Sequence, residues 1–308
     1  MKDRLQEFPG PSRRSAADKP PSRGHSGFPR WLVIAAALLV ASCRQAGIMD
    51  PQGPVGAAEW LLMINATEIM LVVVVPVILM TLWFAWWYRS SNARANHTPD
   101  WSYQGSMEFV VWSIPALVVI LLGGVTWISA HQLDPKAPLD AQVKPLRVDV
   151  VSLDWKWLFI YPEQRVAAVN ELVVPAGTPV AFRLTSATVM DSFFVPQLGS
   201  QIYTMPGMTT HLNLMADNPG DYPGLSSQFS GDGFSDMRFM VKAVSAADFD
   251  GWIAQVRNSG SALDDRGYAD LAKPSSNVPP ATYRSVDMKL FDRIVDQTEL
   301  DAKAGAGD

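Results

Sequence analysis

Ser226-Ser-Gln-Phe-Ser-Gly-Asp-Gly-Phe-Ser-Asp-Met237 runs directly into Met237-Arg-Phe-Met-Val-Lys-Ala243, where polar and apolar side chains alternate. The first stretch offers hydroxyls, an amide, phenyl rings, carboxylates and one thioether. It has no thiol and no imidazole, the soft donors that transition-metal sites favour. The second has the period of two expected of a strand with one buried face. The same partial alternation occurs in Arg147–Leu153, Val180–Thr185 and Thr210–Met215. Turn signals separate these runs: Pro175-Ala-Gly-Thr-Pro179, Met205-Pro-Gly207 and Asn218-Pro-Gly-Asp221. Short strands at regular spacing over about a hundred residues predict an all-β sandwich.

Upstream the pattern changes. Ile69–Trp87 has Thr81 as its only polar residue, and Phe109–Ile128 carries no charge. Each is about the twenty residues needed to cross a hydrocarbon core of about 30 Å. Trp60, Trp83, Trp86, Trp87 and Tyr88 bracket the first and Trp112 and Trp127 the second, as aromatic belts do at membrane interfaces. Pro76 and Pro115 lie inside the spans, where membrane helices tolerate proline. The 308 residues are 48% hydrophobic with a formal net charge of −5. No basic stripe runs along the chain, which argues against a nucleic-acid partner.

Cys43 is the single cysteine, so an internal disulfide or a cysteine cluster is excluded. It follows Trp31–Ser42, an apolar stretch too short to span a bilayer, which ends in Val40-Ala41-Ser42-Cys43. This resembles the lipobox of bacterial lipoproteins and implies cleavage that leaves Cys43 as a lipidated N-terminus. Residues 1–30 are long, Pro-rich and charged for a leader; Arg13-Arg14 is read as chance, with a start codon downstream of Met1 as an alternative. A lipidated N-terminus and two spans place the C-terminal part outside the inner membrane and residues 89–107 in the cytoplasm. Arg89 and Arg94 against Asp100 in that loop agree with the positive-inside rule.

After Ala243, Ser245-Ala-Ala-Asp248 resembles a capping box. Phe249, Trp252, Ile253 and Val256 then form one face of an amphipathic helix. Lys273–Pro280 is a loop, and Leu290, Phe291, Ile294 and Val295 line a second helical face.

The Ser226–Met237 stretch resembles the copper loop of a respiratory oxidase subunit II, Cys-x-Glu-x-Cys-x3-His-x2-Met, with nearly every ligand replaced. The two cysteines are Ser226 and Ser230, the Glu is Gln228 and the His is Phe234; only Met237 remains. An upstream family His is Asp191, in Asp191-Ser-Phe-Phe-Val-Pro196. Further likeness lies in Phe84-Ala-Trp-Trp-Tyr-Arg89, Asp154–Gln164, Val189–Pro196, Leu198–Tyr203 and Phe229–Phe234, and runs from Cys43 to about residue 297. On these motifs the chain is identified as a member of the subunit II family of cytochrome bo-type ubiquinol oxidases. The resemblance implies a membrane-anchored all-β protein, with a two-helix transmembrane hairpin, a cupredoxin-like β-sandwich and a short C-terminal helical segment.

The organisation expected is a lipoprotein signal peptide over 1–42, a periplasmic segment over 43–59 and transmembrane helices over 60–88 and 108–131, joined by the cytoplasmic loop 89–107. A periplasmic cupredoxin-like domain lacking copper ligands follows over 144–244, then the C-terminal helical segment over 245–298 and a disordered tail over 299–308. The resemblance further implies a complex that oxidises ubiquinol, reduces oxygen to water and moves protons. Haems and copper belong to subunit I, and this chain binds no cofactor. Its partners are subunit I, other subunits and membrane lipid.

Glu108, at the cytoplasmic mouth of the second span, takes the place of a family Glu at the entrance of a proton path; on sequence alone it is an interfacial acid at a helix start. Glu68 is read as facing headgroups. Trp155 and Trp157 match an aromatic patch that receives electrons in copper-bearing relatives, and are read here as core or subunit contacts. Asp191 is read as a surface acid and Met237 as a core residue. His25, His97, His131 and His211 have no ligand spacing. Gly231-Asp-Gly233 does not join a strand to a helix, so it is no nucleotide signature. No Ser nucleophile has a nearby base. Two other readings remain: a copper-bearing cytochrome c oxidase subunit II, which the missing ligands oppose, and a free-standing lipoprotein with a ligand-binding sandwich, which leaves the paired spans unexplained.

Overall fold

The computed structural model describes residues 47–296 except 97, 99 and 142. The signal peptide, Cys43, His25, His97 and the tail from 299 lie outside the described residues.

Two helices, α1 (Pro54–Trp87) and α2 (Gly105–Gln132), form the hairpin, and their apolar faces are exposed. Both are long and apolar enough to cross a membrane. α1 begins six residues before the expected start at 60, because Pro54 sits at the first helical position, where its missing N–H costs nothing. At about 1.5 Å per residue its 34 residues reach well past the hydrocarbon layer. The protruding start is built into the β domain. Gln52 N donates to Gln197 O (2.7 Å), Gly56 N to Leu198 O (3.0 Å) and Asp217 N to Gln52 O (2.9 Å), so an orphan helix donor is satisfied by the sandwich itself. At the other end, Arg89 donates to Trp86 O and Asn92 to Trp87 O, closing the last turn.

The β domain has two sheets. One is seven-stranded: β1 (Leu146–Leu153), β2 (Lys156–Tyr161), β3 (Val166–Val169), β5 (Val180–Ser186), β8 (Thr210–Leu214), β11 (Ser261–Leu263) and β12 (Ala281–Val286), in the order β11-β12-β3-β2-β1-β5-β8. The other contains β4 (Glu171–Pro175), β6 (Asp191–Phe194), β7 (Ile202–Thr204), β9 (Gly220–Ser226) and β10 (Arg238–Val244), in the order β4-β10-β9-β6-β7. β1 and β5 pair in parallel, as do β4 and β10. Between the sheets Phe193 and Phe239 stack at 4.9 Å, with Trp157 edge-on to Phe193 at 5.4 Å.

The expected single buried face of the first strand needs correction. β1 is buried on both sides apart from Arg147. The reason is a second apolar layer: Val151, Leu153, Leu158 and Ile160 on the outer face of the large sheet pack under Val286, Leu290, Phe291 and Ile294. The C-terminal segment supplies this layer. The expected first helix is α3 (Ala246–Asn258), with Ser245 accepting from Asp248 N at 3.1 Å as N-cap. Helix also covers residues 290–296, the place of the expected second helical face, and a short, unexpected α4 (Asp265–Leu271) lies between them. The segment is not helical throughout, because β11 and β12 extend the large sheet beside β3. Lys156, 1% exposed, fastens the layer. Its ammonium donates to Lys273 O (2.7 Å), Ser275 Oγ (2.6 Å) and Asp154 O (3.3 Å). Burial pushes its pKa down, and three acceptors for three N–H groups keep the charged form tolerable.

Candidate functional site

The loop between β9 and β10, the start of β6 and the β1–β2 turn meet at one end of the sandwich. Asp191 lies there and is 1% exposed, so the expectation of a surface acid is overturned. Its place at the start of β6, paired across to Thr204 and beside β9, turns its side chain inward. Ser226 Oγ donates to Asp191 Oδ1 at 3.3 Å, and the hydroxyls of Ser230 and Ser152 also hydrogen-bond to this carboxylate. Ser152 is linked in turn to Thr204 at 3.0 Å. Burial raises the Asp191 pKa, and the hydroxyl donors oppose that rise without cancelling it.

The remaining residues of the loop are close by. Met237 is 1% exposed in the core, with its sulfur 3.9 Å from Ser230 Oγ. The half-buried Gln228 gives its backbone carbonyl to Ser226 Oγ at 3.2 Å. Phe234 turns its ring edge to Phe229 at 5.6 Å. The positions singled out from sequence thus converge in space, with Met237 in the core as expected. Among the described residues no group of three or more His, Cys, Asp or Glu side chains is placed to hold a metal.

Trp155 fixes the loop. It occupies the tight β1–β2 turn with φ +61°, a left-handed conformation that is uncommon outside glycine. Its indole N–H donates to Ser230 O at 3.0 Å. The ring lies against Gly233, where any Cβ would overlap it. Gly233 is therefore required by the close approach of an indole. Trp157, by contrast, is fully buried between the sheets, so the two tryptophans have separate roles. Sequence reasoning missed Ser152 and Thr204, small polar residues inside strands with no local signal. It also missed Ser192, Ser227 and Gln201, which bond to one another beside the loop.

The Asp191 carboxyl makes a prediction whose sign is fixed. A carboxyl with a raised folded-state pKa carries no penalty below its unfolded value and the full penalty above its folded value. Wild-type stability should therefore fall, on this account, as pH rises from about 4 towards neutrality. Asp191→Asn escapes the penalty. Its melting temperature relative to wild type is expected to be higher at pH 7 than at pH 4; an equal difference at both would contradict the buried-carboxyl account.

Elsewhere, Glu108 is exposed in the first turn of α2, beside Tyr103, Phe109 and Trp112. Glu68 is exposed on α1 and His211 on β8. His131 caps the end of α2, with Nδ1 2.8 Å from Trp127 O.

Two family models match the chain: "Cytochrome C oxidase subunit II, periplasmic domain" over residues 146–244, and "COX Aromatic Rich Motif" over 257–298. With the two apolar helices they define the class, an oxidase subunit II with a cupredoxin-like external domain. The chain is 50% identical over 279 residues to cytochrome bo(3) ubiquinol oxidase subunit 2 of Pseudomonas aeruginosa, covering 90% of this chain and 84% of that one. It is 47% identical over 264 residues to ubiquinol oxidase subunit 2 of Acetobacter aceti, covering 85% of each. The chain belongs to the ubiquinol oxidase subunit 2 family. The solved periplasmic domain of cytochrome oxidase subunit II from Bradyrhizobium japonicum shares 22% identity over 38% of this chain and 94% of its own, with a TM-score of 0.36. The two apolar helices and the periplasmic-type domain fit an inner-membrane protein with two spans.

Proposed function

We propose that this chain is the copper-free second subunit of a complex that oxidises ubiquinol, reduces oxygen to water and moves protons across the membrane. The observation that carries the copper-free reading is the cluster around Asp191. A binuclear copper centre needs thiolates and imidazoles. The loop instead presents Ser226, Ser230, Gln228 and Phe234, and its hydroxyls are engaged with Asp191 and Met237. These residues do not fit copper, and no electron step is assigned to them.

On this reading the haems and copper sit in subunit I, which also takes the electrons from quinol, and the present chain is a noncatalytic structural subunit. The sandwich persists because its hydrogen-bonded loop and second apolar layer hold a surface for other subunits. Cys43 carries lipid and the N-terminus and β domain are periplasmic. The test is oxygen uptake by the purified complex, with ubiquinol and with reduced cytochrome c, and metal analysis of this chain after separation. Expected are haem-bearing partners, uptake driven by ubiquinol alone, and no copper on this chain. Uptake from cytochrome c with copper on this chain would overturn the reading; colourless protein without partners would favour a free-standing lipoprotein.

Glu108 serves proton uptake in this proposal. A carboxylate at the water-facing start of a span can collect protons from bulk and pass them to a neighbouring subunit. Glu108→Ala should lower turnover several-fold in a fully assembled complex. Unchanged turnover would reduce Glu108 to an interfacial acid favoured by the helix dipole.

A further inference from the structure

A groove of about 470 Å³ opens where the chain leaves α2 and meets the outer face of the large sheet. Its floor is a row of paired residues, Arg147, Ala181 and Asn213, from β1, β5 and β8. The small Ala181 leaves the concavity. One pleat repeat further along, Arg183 pairs in register with His211 on the same face. Lys136 and Lys144 rim it from the segment between α2 and β1. The C-terminal layer covers the remainder of this face but not this end.

The charges facing the groove are unequal. Arg183 is neutralised by Asp149 (2.7 Å) and Asp292 (3.2 Å), and Lys144 by Glu163 (2.8 Å). Lys136 and Arg147 have no acidic partner among the described residues, and both are exposed. Asp134 is the acid nearest in sequence to Lys136, and it accepts from the Lys136 backbone N–H at 2.9 Å. His211 adds an exposed ring N–H. Two uncompensated cations beside the small Ala181 suit a phosphate group.

Position along the membrane normal narrows the source. α2 ends at Gln132, four residues beyond the last residue of the uncharged run at Ile128. That is about 6 Å of helix, and the headgroup layer is about 5–8 Å deep on each side. Asn213 clamps the exit segment by donating to the carbonyls of Pro135, Lys136 and Ala137 at 3.1–3.3 Å. The groove floor is thereby tied to that segment, close to where α2 ends. With a net charge of −5, the whole chain has no general attraction to an anionic surface, so any such attraction is local.

We propose that this groove binds the phosphate of an anionic phospholipid headgroup, through Lys136 and Arg147, on the side of the membrane that carries the β domain. The test is binding of phosphatidylglycerol by the intact purified complex in neutral-lipid nanodiscs, read as the lipid concentration that half-saturates a rise in melting temperature. Lys136→Ala with Arg147→Ala is expected to weaken binding about thirtyfold, which is about 1 kcal/mol for each cation. A charge-matched control, Arg238→Ala with Arg284→Ala, should leave it within about twofold. Equal weakening by both double variants would make the attraction general, and equal saturation by inorganic phosphate in phosphatidylcholine nanodiscs would assign the groove to a free anion; either overturns the proposal. An absence of any phosphatidylglycerol effect on wild type does so too.

Discussion

Arg183→Met is expected to destabilise the β domain by about 3–5 kcal/mol, the loss usual when one partner of a buried ion pair is removed. Arg183 makes a bidentate pair with Asp149, Nε to Oδ1 at 2.8 Å and a terminal nitrogen to Oδ2 at 2.7 Å. Asp149 is 1% exposed, so without the guanidinium a carboxylate is left buried with its main donors gone. The same guanidinium donates to Asp292 and lies 4.6 Å over the Phe291 ring. One side chain therefore joins β1, β5 and the C-terminal layer. The pairing with Asp149, ahead of burial, holds the Arg183 pKa above its ordinary value, so the guanidinium stays charged. Two consequences separate this account from simple loss of packing. The variant should show protease cleavage between β12 and residue 296 before the remaining sandwich unfolds. Arg183→Met with Asp149→Leu should recover most of the loss, because a matched apolar pair replaces a buried ion pair at little cost. Thermal melts of wild type, both single variants and the double variant give the coupling directly; additive effects would show that the pair is not the source.

The way Arg183 ties three elements together shows why the sequence was legible in some places and silent in others. The four alternating runs became β1, β5, β8 and β10; in the last three the local period reports a face that meets the core, whereas β1 is buried on both sides apart from Arg147. β2 and β3 gave no such pattern: every residue in them is buried, and two-sided burial erases alternation. What buries their second side is the C-terminal segment, over a hundred residues away in the chain, which no local reading supplies. β11 and β12 were missed for a related reason, since they become strands only by joining the edge of a sheet already formed. At the candidate site the replaced positions Asp191, Ser226, Ser230, Gln228 and Phe234 and the retained Met237 were found through family resemblance, and the structure brings them together. The burial of Asp191 was not legible. A carboxylate in a loop-like stretch reads as exposed unless Ser152 and Thr204, far off in sequence, are known to close over it. The lead of α1 into the sandwich was hidden too, because the apolar run marks only the part of a helix that meets lipid.

That lead is packed too closely for one more methyl group, and Gly53→Ala should be strongly damaging. Gly53 precedes α1 with extended backbone, so the glycine is not needed for its φ. It is needed for space: a Cβ there would overlap the carbonyl oxygen of Met215 and meet Leu198 O at 3.5 Å. These neighbours are backbone atoms. Gln52, one residue away, is held between Gln197 O and the Asp217 N–H, so neither side of the seam can yield by a rotamer change. Gly56 and Gly199 face the same seam, with a Cβ at Gly56 3.0 Å from Gln197 O and one at Gly199 2.7 Å from Leu214. Overpacking of this kind costs about 1–3 kcal/mol where side chains can adjust; against fixed carbonyls the upper end or more is expected. The chain escapes the clash by releasing the start of α1, which breaks the bonds from Gln52 and Gly56 and frees the sandwich from the helix hairpin. Gly251→Ala is the matched control. It lies inside α3 with nothing within 4 Å of its Cβ position, and should be neutral or stabilising by about 0.5–1 kcal/mol through helix propensity. The measurement is limited proteolysis of purified complexes, scored for cleavage between residues 47 and 56 and for retention of the haem-bearing partner. Gly53→Ala should be cut early and lose partner, and Gly251→Ala should match wild type. Wild-type resistance in Gly53→Ala would mean that the seam gives way under a methyl group and that α1 is not rigidly seated on the β domain.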